Sequence, residues 1–140
     1  MTSAQTQVVA GLLRRGQQIL LCHRRANRSH FPDVWDLPGG RVEFGETLVE
    51  TLQRELEEEL GIVARPSQTT PWLVLTDDTL RLHVFLVDEW TGEPANVAPD
   101  EHDEIRWVSQ HEVGGLTLAD DSYVRLFDRA LASGGAPGEA

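Results

Sequence analysis

The chain has no lysine. All 12 of its basic residues are arginine, against 23 Asp and Glu, which gives a net charge of −11. So large a deficit of positive charge argues against polymeric nucleic acid as a partner, because binding to a phosphate backbone normally uses a basic surface. A small phosphorylated ligand stays open, since arginine is the side chain suited to bidentate phosphate contacts. Cysteine is almost missing as well. The single Cys22 excludes an internal disulfide framework, and with no secretory pattern at the N-terminus it predicts a protein of the reducing cytoplasm. Its position in a strand pattern predicts burial rather than reactivity. No apolar run approaches a bilayer span, so no membrane partner is expected.

What is present suits one domain. The 140 residues are 40% apolar and 25% charged, ordinary for a soluble globular chain with an adequate core. The domain is assigned to 6–132, and the ends at 1–5 and 133–140 read as flexible termini. Gln7–Leu13 and Gln17–His23 read as strands joined at Arg14-Arg15-Gly16. Ala26–Asp33 is a polar loop, and Val34–Leu37 a short strand stopped by a sharp turn at Pro38-Gly39-Gly40. Arg41–Phe44 continues as a short strand. Trp72–Thr76 and Leu80–Trp90 pair around Asp77-Asp78, and the second is apolar on both faces, as a covered central strand would be. A short strand follows at Ile105–Val108, then a helix over Asp120–Ala132 capped by Asp121 or Ser122. Strands that enclose one helix and precede another give an α/β layered fold.

The most informative stretch runs from Gly40 to Ile62. Thr47 with Glu50 forms a capping-box signal, Gly61 a C-cap signal, and Leu48, Leu52, Leu56 and Leu60 recur every four residues between them. Glu55, Glu58 and Glu59 stand three and four residues apart, so they share one flank beside the leucine stripe, while Glu57 falls on the solvent side. Like charges at these spacings destabilise a helix by roughly 0.2–0.5 kcal/mol per pair. A hard cation reverses that sign, and magnesium takes its ligands from just such carboxylates together with water and phosphate.

Nine positions across these 23 residues fit one pattern: Gly40, Glu46, Arg54, Glu55, Leu56, Glu58, Glu59, Gly61 and Ile62. The pattern is that of the Nudix hydrolases, and the chain resembles them with no position broken. Trp35-Asp36-Leu37-Pro38-Gly39-Gly40 is similar to the strand entering the box in the MutT-like branch. The resemblance implies a Nudix α/β/α sandwich with a mixed β-sheet. It also implies dependence on Mg2+, with Mn2+ able to substitute. Glu55, Glu58 and Glu59 would be catalytic and metal-holding, Arg54 would orient a box carboxylate within the catalytic set, and the Gly40 carbonyl would reach the metal. A further metal ligand is expected from 99–104, Glu101 first and Glu104 second. Arg24, Arg28, Asp36 and Asp120 are the candidate substrate-binding residues, with Arg25 beside them. His83 and His102 are read as core or surface histidines.

The activity implied is hydrolysis of a nucleoside diphosphate-linked substrate, foremost a nucleoside triphosphate, oxidised forms such as 8-oxo-dGTP included, to monophosphate and pyrophosphate. The alternatives are a pyrophosphatase of nucleotide sugars or other nucleoside diphosphate derivatives, and a non-catalytic nucleotide-sensing module. The family resemblance also implies that a homodimer is a common state. Marks of other substrate groups fit less well: Asp77 and Asp78 stand where ADP-ribose enzymes resemble one another in a proline, and Thr79 where diadenosine polyphosphate enzymes carry tyrosine.

Overall fold

A computed structural model describes residues 5–132. Nine strands are described: β1 Thr6–Arg15, β2 Gln18–Arg24, β3 Trp35–Asp36, β4 Gly39–Arg41, β5 Val63–Ala64, β6 Leu73–Thr76, β7 Leu80–Val87, β8 Trp90–Thr91 and β9 His102–Ser109. The helices are α1 Leu48–Leu60, α2 Gln110–Val113 and α3 Tyr123–Ala132. None of the described helices is long and apolar enough to cross a membrane.

β1 organises the sheet. It runs parallel to β7 from Thr6↔Leu80 to Leu13↔Val87, and β7 in turn pairs antiparallel with β6. Its pairing with β2 is confined to the hairpin end, Arg14↔Ile19 and Arg15↔Gln18, where Gly16 turns with φ 60°. Beyond that point β1 takes β4 instead, Val9↔Gly40 and Ala10↔Gly39, while β2 carries β3 and β9. The sheet therefore forks after the hairpin, and residues 35–41 cross the fork. The result is a mixed sheet with α1 on one face and α3 on the other, the expected α/β/α sandwich.

Each face has its own core. Val9, Leu13, Leu20, Phe85 and Val87 pack with Leu52, Leu56 and Leu60 of α1. Ala10, Leu12, Ile19, Leu82, Val84 and Leu86 pack with Leu126, Phe127 and Leu131 of α3. β7 is thus covered on both sides, as its two apolar faces predicted. Burying Leu52, Leu56 and Leu60 fully contributes about 1.5–3 kcal/mol each. That exceeds the repulsion among the neighbouring glutamates several-fold, so the core holds the acidic flank in place. The caps of α1 are as read. The Thr47 side chain accepts from Glu50 N–H, the Glu50 carboxylate accepts from Thr47 N–H, and Gly61 closes the helix at φ 71°.

Several boundaries differ from the sequence reading. Pro38-Gly39-Gly40 is not a sharp turn: Gly39 and Gly40 begin β4, laid against β1. Only Arg41 of the expected strand 41–44 is in a strand; Glu43 N–H turns back to the Glu46 carboxylate, and Phe44 is exposed. Trp90 leaves β7 to form β8, which pairs with β5. β9 begins at His102, because pairing with β2 runs on past Glu104 to Arg24↔His102 across a register shift at Asp103, while the Asp103 and Glu104 side chains stay in water. α3 starts at Tyr123 rather than Asp120, whose carboxylate accepts from Ser122 N–H in the preceding turn. Gln5, assigned to a flexible end, donates to Thr76 Oγ1 at 2.6 Å. The rest of the flexible-end assignment, 1–4 and 133–140, lies outside the described residues.

Candidate active site

The first turn of β4 into the fork brings the glycines against α1. Gly40 lies on the Glu55 carboxyl: a Cβ there would stand 2.4 Å from Glu55 Cδ. Glu55 is mostly covered, and its Oε1 accepts from Arg54 Nη1 at 2.7 Å. Arg54 also grips Glu46, Nε to Oε2 at 2.7 Å and Nη2 to Oε1 at 3.1 Å, and donates to the Arg41 carbonyl at 3.0 Å. Glu46 accepts further from Glu43 N–H and Thr51 Oγ1. Arg54 chiefly, then the Glu43 N–H, holds the Glu46 carboxyl down to about 2. Glu46, chiefly, raises the Arg54 guanidinium further above its ordinary value, so its charge is permanent. The arginine thus fastens α1 to the strand that enters it.

Glu59 is the other half of the centre. It is 2% exposed, and its Oε2 has no hydrogen-bond partner. Burial chiefly pushes its carboxyl well above the ordinary range; the adjoining Glu55 carboxyl and the charge of Glu101 act in the same direction, and the Gly39 N–H opposes them. His102 Nε2 stands 3.5 Å from Glu59 Oε1. Glu58 points outward, with Oε2 3.5 Å from Arg54 Nη1, and Glu57 is exposed. Among the described residues, no three acidic, cysteine or histidine side chains converge as a closed ligand set. Arg54 stands between Glu55 and Glu58, and Glu101 pairs with Arg28 at 3.2 Å.

The other candidates occupy the rim. Arg28 and Glu101 strap the loop 25–33 to the turn before β9, aided by Arg25, which donates to the Pro99 carbonyl at 3.2 Å. Arg24, another candidate substrate-binding residue, donates to the His30 and Phe31 carbonyls of its own loop, with Nη2 to His30 at 2.7 Å. Asp36, a candidate substrate-binding residue, is held within the fold: its Oδ1 accepts from Tyr123 O–H at 2.9 Å and Leu37 N–H at 2.8 Å. Burial raises its pKa against those hydrogen bonds, and it raises that of Tyr123 well above the phenol range. Asp120 sits close enough to act on both but serves the turn into α3. Glu104 pairs with Arg106 at 2.9 Å, away from the glutamates of α1. Cys22 is buried and feels Glu59, Asp36 and Glu101, so it marks where α1, β3 and the turn at 101 meet.

Two residues were not singled out by sequence: Tyr123, which fixes Asp36, and His23, whose ring bridges Asp103 at 2.7 Å and Asp33 at 3.3 Å; a third, His102, was read only as a core or surface histidine. The histidine directly after Glu101, at the head of a strand, was the one available signal for His102.

The family model of the NUDIX domain matches residues 4–129. The chain belongs to the NUDIX family. It is 36% identical over 107 residues to an 8-oxo-dGTP diphosphatase of Haemophilus influenzae, covering 75% of this chain and 76% of that one. It is 26% identical over 138 residues to the nucleoside triphosphatase NudI of an Enterobacter species, covering 91% and 98%. Among solved structures it resembles a MutT NUDIX hydrolase from Burkholderia pseudomallei, with TM-score 0.71, 28% identity and coverage of 89% and 96%. The chain is therefore a MutT-like Nudix hydrolase.

Nudix hydrolases depend on divalent cations, and the residues here fit one. A buried carboxylate oxygen without a partner belongs to one of two adjoining carboxyls, the chemistry of a hard-cation site rather than of a satisfied core. The absence of a side chain at Gly40 keeps Glu55 in that pair.

Proposed function

We propose that this enzyme hydrolyses nucleoside triphosphates to a nucleoside monophosphate and pyrophosphate, with Mg2+ as its working cation and Mn2+ as a substitute. The observation that carries the reading is the Glu55–Glu59 pair, fixed by Arg54 on one side and buried on the other, beneath the glycine strand. The names borne by its relatives, an 8-oxo-dGTP diphosphatase and a nucleoside triphosphatase, support the substrate class. Glu55, Glu58 and Glu59 would hold the cation, with the Gly40 carbonyl and Glu101 at its border. When bound, the cation supplies neutralisation of phosphate charge and acidification of a water.

The remaining chemistry belongs to the chain. Arg54 keeps the Glu55 carboxylate in one orientation, so little reorganisation is left for the reaction. Glu58 is the most exposed of the three, with freedom to orient water. Arg28 is the rim arginine that meets the phosphate chain, exchanging Glu101 for phosphate oxygens. Asp36 and Asp120 are occupied by Tyr123 and by the turn into α3, so their part is to hold the elements around the site. The single buried Cys22 accords with a reducing cytoplasm.

The test is a nucleotide panel, oxidised triphosphates and nucleotide sugars included, run with Mg2+ in 18O-labelled water and with chelator. Label in the monophosphate, pyrophosphate release and loss of turnover on chelation are expected. Label in pyrophosphate would mean attack at the β-phosphorus with the same two products; orthophosphate alone, or full activity in chelator, would remove this reading.

A further inference from the structure

We propose that His102 is the positioning residue for Glu59, a role resting on the reading of Glu59 as a cation ligand. Glu55 and Glu59 touch one another, yet they are held by opposite means. Arg54 grips Glu55 from the rim. Glu59 has no arginine. Its one side-chain nitrogen neighbour in the described ion pairs is His102, whose Nε2 stands 3.5 Å from Oε1.

Both partners are sealed in, at 2% and 4% exposure, so water cannot supply the missing hydrogen bonds. Each has one orphaned atom: Glu59 Oε2 and His102 Nδ1. The ring proton therefore belongs on Nε2, the nitrogen that faces an acceptor. An Nε2–H directed at Oε1 leaves Oε2 as the oxygen without a partner. That is the oxygen a cation would take.

The backbone fixes the ring at the right place. His102 N–H donates to the Ala98 carbonyl at 3.1 Å, its carbonyl accepts from Asn96 Nδ2 at 2.8 Å, and it opens β9 opposite Arg24 of β2. The register shift between His23 and Arg24 falls at this point. The strand is thus anchored on both sides of one buried imidazole. The same turn carries Glu101, so the rim ligand and the inner positioning group sit on consecutive residues.

Groups that orient a metal ligand typically set affinity by 10–100-fold. Binding of Mn2+ to the free protein, followed by electron paramagnetic resonance, reads this without any substrate. Glu59→Gln is the control for the site itself. His102→Gln places an amide nitrogen near Nε2, whereas His102→Asn places one near Nδ1, so the two differ in geometry far more than in polarity. His102→Ala and His102→Asn should weaken Mn2+ binding by at least tenfold, and His102→Gln should stay within about threefold of the parent. Melting curves accompany each variant; if the alanine chain fails to fold, the amide pair carries the comparison. Wild-type affinity in His102→Asn, or equal weakening in both amide variants, would overturn the role of His102. Undiminished Mn2+ binding in Glu59→Gln would instead overturn the cation site on which it rests.

Discussion

Gly39 and Gly40 are neighbours in one short strand, yet alanine at the two positions should do opposite things. At Gly40 the new Cβ would lie 2.4 Å from Glu55 Cδ and 2.5 and 2.7 Å from its oxygens. Ordinary contact begins near 3.4 Å, so the carboxyl must retreat by roughly 1 Å. The obstacle is the end of a flexible side chain, so the fold gives way cheaply. The retreat also breaks the 2.7 Å contact with Arg54. A misplacement of about 1 Å in a reacting constellation costs on the order of 100-fold, or about 2.7 kcal/mol in the barrier. At Gly39 the Cβ would lie 2.0 Å from the Val9 carbonyl oxygen and 2.7 Å from Ala10 Cα. Backbone cannot retreat without parting β4 from β1, which costs about 3 kcal/mol or more. For a domain of this size that lowers the melting temperature by about 10 °C. The assays are calorimetric melts and steady-state triphosphate hydrolysis under saturating Mg2+. Gly40→Ala should melt within about 3 °C of the parent while its kcat falls about 100-fold. Near-parental kcat in Gly40→Ala, or equal melting losses in both variants, would refute the reasoning.

Two further outcomes follow from the same centre. Glu58→Gln should lower kcat on the order of 100-fold with the melting temperature kept, because the amide retains volume but not the charge that a cation needs. Glu57→Gln should be nearly silent, and equal losses in the two would mean that the solvent and site sides of α1 are wrongly assigned. The Glu46 carboxyl, held near 2 chiefly by Arg54, makes a stabilising contribution present above the ordinary carboxylate range and lost as pH falls toward 2. Melting temperature between pH 5 and 3 should therefore decline less steeply in Glu46→Gln than in the parent, and parallel declines would count against the Arg54–Glu46 anchor.

α1 was legible because everything that defines it is local. The Thr47–Glu50 box, the four-residue leucine repeat and the αL glycine at 61 act within a turn or two of one another. β7 was legible for a similar reason, its two apolar faces lying in eight consecutive residues. What sequence reasoning misread has causes far along the chain. Pro38-Gly39-Gly40 has the composition of a turn, but glycine is needed there because β1 passes 2.0 Å from where a Cβ would be. That approach arises from the fork in the sheet, which no local pattern encodes. Asp36 looked free to meet a ligand until Tyr123, 87 residues away, was seen to hold it. His102 read as a core or surface histidine, and the structure buries it beside Glu59, four strands away along the chain. The same distance hid the use of Arg24 on its own loop, since a cluster of arginines in sequence does not reveal which carbonyls will turn toward it.

The electrostatics of the centre also explain how so acidic a chain can serve an anionic substrate. A net charge of −11 and a paired carboxyl centre would repel a polyphosphate. The chain does not correct this with surplus arginine at the centre: Arg54 is committed to Glu46 and Glu55, and Arg24 to its loop. Of Arg24, Arg25 and Arg28, it is Arg28 that pairs with a carboxylate it can exchange, the half-exposed Glu101. On the proposed reading, attraction comes with the cation, whose charge would offset Glu55 and Glu59 and meet the phosphates at the same time. Cation and nucleotide should consequently favour one another's binding, since each relieves the repulsion that opposes the other. The leucine stripe makes that arrangement durable: it keeps the carboxylates together when no cation is bound, at a cost in repulsion that is small beside the burial of three leucines.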